Sequence, residues 1–151
     1  MNRIHSEEYF ERRVLYDGMN YNLNGRDFVP VSDVDGLMDC HGKAWILYEC
    51  KFADNLPPIG QKILIERLIN NISGTVPAVA LICGHGNENP VYLCNTIVTA
   101  YYSAGVGWKY YGKDFSRRFT AKELSDLFIR RHAPEMLIRK GDEADEHKYP
   151  A

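Results

Sequence analysis

Ser32-Asp33-Val34-Asp35-Gly36-Leu37-Met38-Asp39-Cys40-His41-Gly42-Lys43-Ala44-Trp45-Ile46-Leu47-Tyr48-Glu49-Cys50-Lys51 holds two short runs separated by a glycine-containing turn. The second run ends an otherwise apolar strand with an acid and a lysine, an arrangement that is unfavourable unless the charges have partners or a task. Alternate residues of a strand share a face, so Glu49 and Lys51 project to one side while Tyr48, Cys50 and Phe52 project to the other. Asp33 and Asp35 are in phase with each other on the first run. A short connection through His41 and Gly42 lays the two runs antiparallel, so that acids from both strands can meet.

Register decides which acids do, because a slip of one residue sends every side chain to the opposite face. A three-residue loop, His41 to Lys43, places Asp35 directly across from Glu49, and this is the register we favour. A loop of Cys40 to Gly42 places Asp33 there instead. A two-residue His41-Gly42 turn without a bulge puts both aspartates on the wrong face.

Asp35 followed by Glu49-Cys50-Lys51 resembles the signature of the PD-(D/E)XK nuclease superfamily: an acid on one strand, then an acid, any residue and lysine on the next. The resemblance runs from roughly Glu7 to about His85 and is to phage-type and Holliday-junction-resolvase-like relatives. Val34 stands where the signature has proline. The resemblance implies a restriction-endonuclease-like core and a metal-dependent deoxyribonuclease.

The chemistry suits the residues. Phosphodiester hydrolysis requires charge neutralisation on the phosphoryl oxygens, a nucleophile made from water and a stabilised leaving oxygen, which hard divalent cations promote. Asp35 and Glu49 offer the carboxylate oxygens that Mg2+ or Mn2+ prefers. The backbone carbonyl of Cys50 is a further candidate ligand, since it requires no particular side chain. Lys51 would orient the attacking water or stabilise developing charge. The competing reading is an ordinary cross-strand ion pair on a solvated face, worth about 0.2 to 1 kcal/mol.

Residues 53–58 read as a loop whose prolines suit the start of a helix. Ile59, Ile63, Leu64, Leu68, Ile69 and Ile72 then follow the three-and-four spacing of a buried helical stripe. In the resemblance, a glutamine in the first turn of this helix often faces the metal site, which makes Gln61 a fourth candidate catalytic residue. Ser6 to Val14 reads as an earlier helix with Ser6 as its cap. Superfamily members that place a glutamate from such a helix beside the metal make Glu11 an additional candidate, alongside Asp33 and His85.

Pro77 to Cys83 and Val91 to Ala100 are apolar runs suited to buried strands, with a turn-rich loop from Gly84 to Pro90 between them. Thr120 with Glu123 is a capping-box signature ahead of Leu124, Leu127, Phe128 and Ile129. The order of helix, strands, helix, strands and helix implies an α/β fold, a three-layer-like sandwich with a central mixed sheet flanked by helices. Tyr101 to Lys113, continuing to Arg117-Arg118, interleaves aromatic and basic residues. That mixture suits locally unpaired or branched nucleic acid, with Lys109, Tyr110, Lys113, Arg117 and Arg118 as candidate contacts. The plainer alternative is a hairpin with ordinary aromatic packing.

With 151 residues, 45% of them hydrophobic, the chain suffices for one domain over residues 1–140, followed by a mobile acidic tail from 141 to 151. No signal-peptide pattern or membrane-length apolar stretch is evident, so a cytoplasmic protein of a bacterium or a phage-infected host is expected. Cys40, Cys50, Cys83 and Cys94 lack paired CxxC spacing, which argues for reduced thiols and against a zinc site. The net charge is −2, but without the tail's four acids and one lysine the remainder carries 17 basic and 16 acidic residues. Such a balance argues against sequence-independent coating of DNA and for a localised groove. The expectations are a junction-resolving or repair and recombination endonuclease acting as a homodimer, an exonuclease, or a non-catalytic DNA- or protein-binding module on a nuclease scaffold.

Overall fold

The computed structural model describes residues 21–23, 27–29, 32–111 and 118–137. The chain divides into two units, Met1–Asp33 and Val34–Ala151. In the first, β1 (Tyr21–Leu23) and β2 (Asp27–Val29) pair antiparallel, with Tyr21 opposite Val29. Asn24-Gly25 between them is a strong hairpin signal in the sequence. The helix expected over Ser6 to Val14 lies outside the described residues.

In the second unit five strands form one open mixed sheet in sequence order. They are β3 (Gly36–Asp39), β4 (Trp45–Phe52), β5 (Ala78–His85), β6 (Ile97–Ser103) and β7 (Gly107–Tyr110). β4 and β5 run parallel, as their connection through α1 (Ile59–Ser73) requires, and the other neighbouring pairs are antiparallel. The two central strands are almost wholly apolar because both of their faces are covered. On one face Ile46, Tyr48, Val79, Leu81 and Val98 pack with Ala121 and Ile129 of α2 (Ala121–His132). On the other, Leu47, Ala80, Ile82, Ala100 and Tyr102 pack with Ile65 and Ile69 of α1. The expected α/β class and central mixed sheet are therefore present, with one helix on each face among the described residues.

Three boundaries differ from expectation. In α1 the buried residues are Ile65 and Ile69, supported by Leu68 and Ile72, while Ile59 and Ile63 face solvent. Both stripes satisfy helical spacing, and the position of the helix over the sheet selects between them. β5 continues through Gly84 to His85, into the expected loop. The run beginning at Val91 first makes a 3-10 turn over Leu93–Asn95, and the strand starts at Ile97. That turn is held by Thr96, whose hydroxyl donates to the Leu93 carbonyl at 2.7 Å.

α2 begins as its sequence implies. The Thr120 hydroxyl accepts from the Glu123 amide and the Glu123 carboxylate accepts from the Thr120 amide, each at 3.1 Å. Arg130, Arg131 and His132 occupy the last turn, where cations complement the helix dipole. Thr120→Ala is expected to lower folding stability by about 1 kcal/mol. Urea denaturation with an unchanged slope would show it, and an unchanged midpoint would contradict the capping role. Among the described residues, no helix is long and apolar enough to cross a membrane.

Candidate active site

The hairpin turn fixes the geometry. His41 and Gly42 both adopt left-handed backbone conformations, with φ of 53° and 72°. The Gly42 amide donates to the Asp39 carboxylate at 2.6 Å, and Cys40 N donates to Ala44 O at 2.9 Å. The loop is thus the three-residue His41 to Lys43 form, and pairing proceeds from Asp39 opposite Trp45 to Gly36 opposite Tyr48. Extended by one residue beyond the ladder, the same register would set Asp35 opposite Glu49, the alignment the favoured loop implies.

β3 ends at Gly36, and the side chain of Asp35 takes over from its backbone. Asp35 Oδ2 accepts from the Cys50 amide at 2.8 Å, where a longer β3 would have supplied a carbonyl. In an antiparallel ladder a residue's N–H and C=O address the same neighbour, so the Cys50 carbonyl lies along the same open edge as Asp35. Asp33 is exposed and belongs to the N-terminal unit.

Glu49 lies on the α1 face and is only 5% exposed, whereas Asp35 is exposed and Lys51 partly so. Glu49 Oε1 accepts from Gln61 Nε2 at 2.5 Å, and Lys51 Nζ stands 3.2 Å from the same oxygen. Gln61 reaches it because α1 starts at Ile59 and turns its first residues over the end of β4. Burial, and then the charge of Asp35, push the Glu49 carboxyl above its ordinary range, against the opposing pull of Lys51 and Gln61. A buried carboxylate destabilised by a second acid suits a hard cation, which would relieve both causes. Among the described residues, no group of three or more His, Cys, Asp or Glu side chains forms a cation cluster. The oxygens that this strand end offers are those of the Asp35 and Glu49 carboxylates and the Cys50 carbonyl.

The remaining candidates separate. His85 shares the Cys83 face of β5, opposite Glu49, and its ring meets Phe52 edge-on at 6.0 Å. Glu11, Lys113 and Arg117 lie outside the described residues. The Arg118 side chain is 4% exposed and donates to Asp54 at 2.8 Å, fastening the turn after β4. Lys109 and Tyr110 point to opposite faces of β7, so they do not form one wall. Tyr110 instead meets Lys62, whose Nζ donates to its hydroxyl at 2.7 Å. Lys62 carried no distinguishing signal in the sequence beyond following Gln61 at the head of a helix.

No protein-family model, curated protein or solved structure matches the chain. The functional reading therefore rests on the geometry of the site.

Proposed function

We propose that this chain is a Mg2+- or Mn2+-dependent nuclease of the PD-(D/E)XK type that hydrolyses DNA phosphodiester bonds. A junction-resolving or repair and recombination endonuclease is the first subtype. The observation that carries the reading is the gathering of Glu49, Lys51 and Gln61 at the end of β4, with Asp35 on the adjoining edge at the Cys50 amide. The antiparallel β3–β4 hairpin, the α1 crossover and parallel β5 support a restriction-endonuclease-like core.

Asp35, Glu49 and the Cys50 carbonyl would hold the cation. When bound, it supplies charge neutralisation on the phosphate and acidification of water. Gln61 spends its amide N–H on Glu49, which leaves its carbonyl oxygen to accept a proton of the attacking water and fix its approach. Lys51 shares only one direction with Glu49, and its other protons are available to a non-bridging phosphoryl oxygen, where negative charge grows. Hydrolysis forms one water oxygen to phosphorus bond and breaks the bond to the leaving oxygen, which takes up a proton.

The test is cleavage of labelled linear duplex, single-stranded and four-way-junction DNA with magnesium, manganese or chelator. The native chain is compared with folded Asp35→Asn and Lys51→Ala variants. Metal-dependent cutting that both substitutions remove is the expected result, and the preferred substrate names the subtype. Absence of cutting on every substrate, with DNA binding unchanged in the variants, would replace this reading with a non-catalytic scaffold.

A further inference from the structure

Three rungs join α1 to β6 and the edge strand β7 at successive turns of the helix. Asn70 Oδ1 accepts from the Tyr102 hydroxyl at 2.9 Å, Glu66 Oε1 accepts from the Trp108 indole at 2.7 Å, and Lys62 Nζ donates to the Tyr110 hydroxyl at 2.7 Å. The rings follow one another: Tyr102 and Trp108 centroids are 5.3 Å apart, and Trp108 and Tyr110 stack at 6.2 Å with planes 17° apart. All three lie on the α1 face, the face of Glu49 and Lys51.

The series is buried at one end and open at the other. Tyr102 is 8% exposed, Trp108 is half-buried and Tyr110 is 50% exposed. The open end lies at the head of α1, where Gln61 reaches Glu49 and the next residue, Lys62, reaches Tyr110. Here the last ring is capped by an ammonium, 5.1 Å from the Trp108 centroid and 5.3 Å from that of Tyr110. Among the described residues Lys62 has no carboxylate partner, and Ile59 beside it is 77% exposed. Lys62, beside a half-exposed aromatic ring and an apolar rim, suits a ligand that is both anionic and planar.

We infer that Lys62, Trp108 and Tyr110 form a nucleotide subsite for an unpaired stretch of the DNA strand leading to the Glu49 site. A base stacks on the open side of Tyr110, and Lys62 contacts the neighbouring phosphate. In duplex DNA the base faces are covered by their neighbours, so the subsite selects flaps, junction arms or single strands. The strand assignment rests on the nuclease reading, whereas the stacking platform does not.

The test is binding of labelled oligothymidylate and of a length-matched duplex, read by fluorescence anisotropy in chelator so that no cutting occurs. The native chain should prefer the single strand, and Tyr110→Ala should weaken that binding about 10-fold or more. Lys62→Gln should weaken it and flatten its salt dependence. Tyr110→Phe keeps the ring and loses only the hydroxyl, so it should bind nearly as the native chain does. Equal loss in the alanine and phenylalanine variants, or single-strand affinity unchanged in Tyr110→Ala, would overturn the subsite. The two readings fail separately. A native chain that cuts no DNA but loses single-strand binding in Tyr110→Ala keeps the platform without the nuclease. A chain that cuts DNA with binding and substrate preference unaltered in Tyr110→Ala keeps the nuclease without the subsite.

Discussion

Glu49→Gln is expected to lower the cleavage rate by at least about 10²-fold, the scale on which removing one preorganised electrostatic group acts, and to leave the protein at least as stable as before. The two effects have one origin. Glu49 is buried beside Asp35, and both facts disfavour its charge. An amide of the same shape still accepts from Gln61 and Lys51 but offers a cation a far poorer oxygen. A carboxyl whose folded pKa lies above its unfolded value contributes most to stability below the unfolded pKa. That contribution is lost as pH rises through the folded pKa. Without divalent cation, the melting temperature of the variant should therefore gain on that of the native chain as pH rises from acid to neutral. Added Mg2+ should raise the melting temperature of the native chain and not that of the variant, since only a bound ligand stabilises. Native-like cutting by Glu49→Gln would end the assignment of Glu49 as a cation ligand.

Gly84→Ala should be the most damaging alanine substitution among the described glycines. A Cβ at Gly84 would stand 2.4 Å from the Ala53 carbonyl oxygen and 3.1 Å from Thr99 Cγ2. The carbonyl is backbone, and its turn is pinned by the Ala53 amide donating to His85 O at 2.7 Å and by Arg118 on Asp54. No flexible side chain can yield, so the strands must part, at a cost of about 2 kcal/mol or more. Gly84 is also the register partner of Lys51, so the displacement falls on the strand end that carries the site. Gly60→Ala provides the contrast. Nothing lies within 4 Å of a Cβ there, and its helical position should yield a gain of about 0.5 to 1 kcal/mol. Denaturation midpoints moving in opposite directions would bear out the argument, and equal midpoints would refute it.

The parts of this fold that were legible in the sequence are those fixed by local chemistry. Thr120 and Glu123 announce a helix start because their side chains bond to backbone groups three residues away. The β3–β4 register is announced because one turn separates the two runs, and strand alternation does the rest. What was hidden depends on distant partners. Ile59 and Ile63 have the spacing of a core stripe, and only the placement of α1 over β5 and β6 leaves them in solvent. The pairing of Arg118 with Asp54 likewise joins residues far apart in sequence. Tyr110 was visible as an aromatic residue, but its partner Lys62 comes from another element and its neighbour Lys109 from the other face.

The short strand β3 is held in phase more by its turn than by its own burial. Leu37 is 51% exposed and Met38 is only partly covered, so exchanging their sides would sacrifice little apolar contact. A lineage that gained or lost one residue between Asp39 and Ala44 would keep Asp35, Glu49, Lys51 and Gln61 in its gene and a sheet in its protein. It would nonetheless carry Asp35 to the far side of that sheet. Inheritance of this site is thus a matter of spacing as much as of identity, and an inactive descendant could retain every one of its reactive groups.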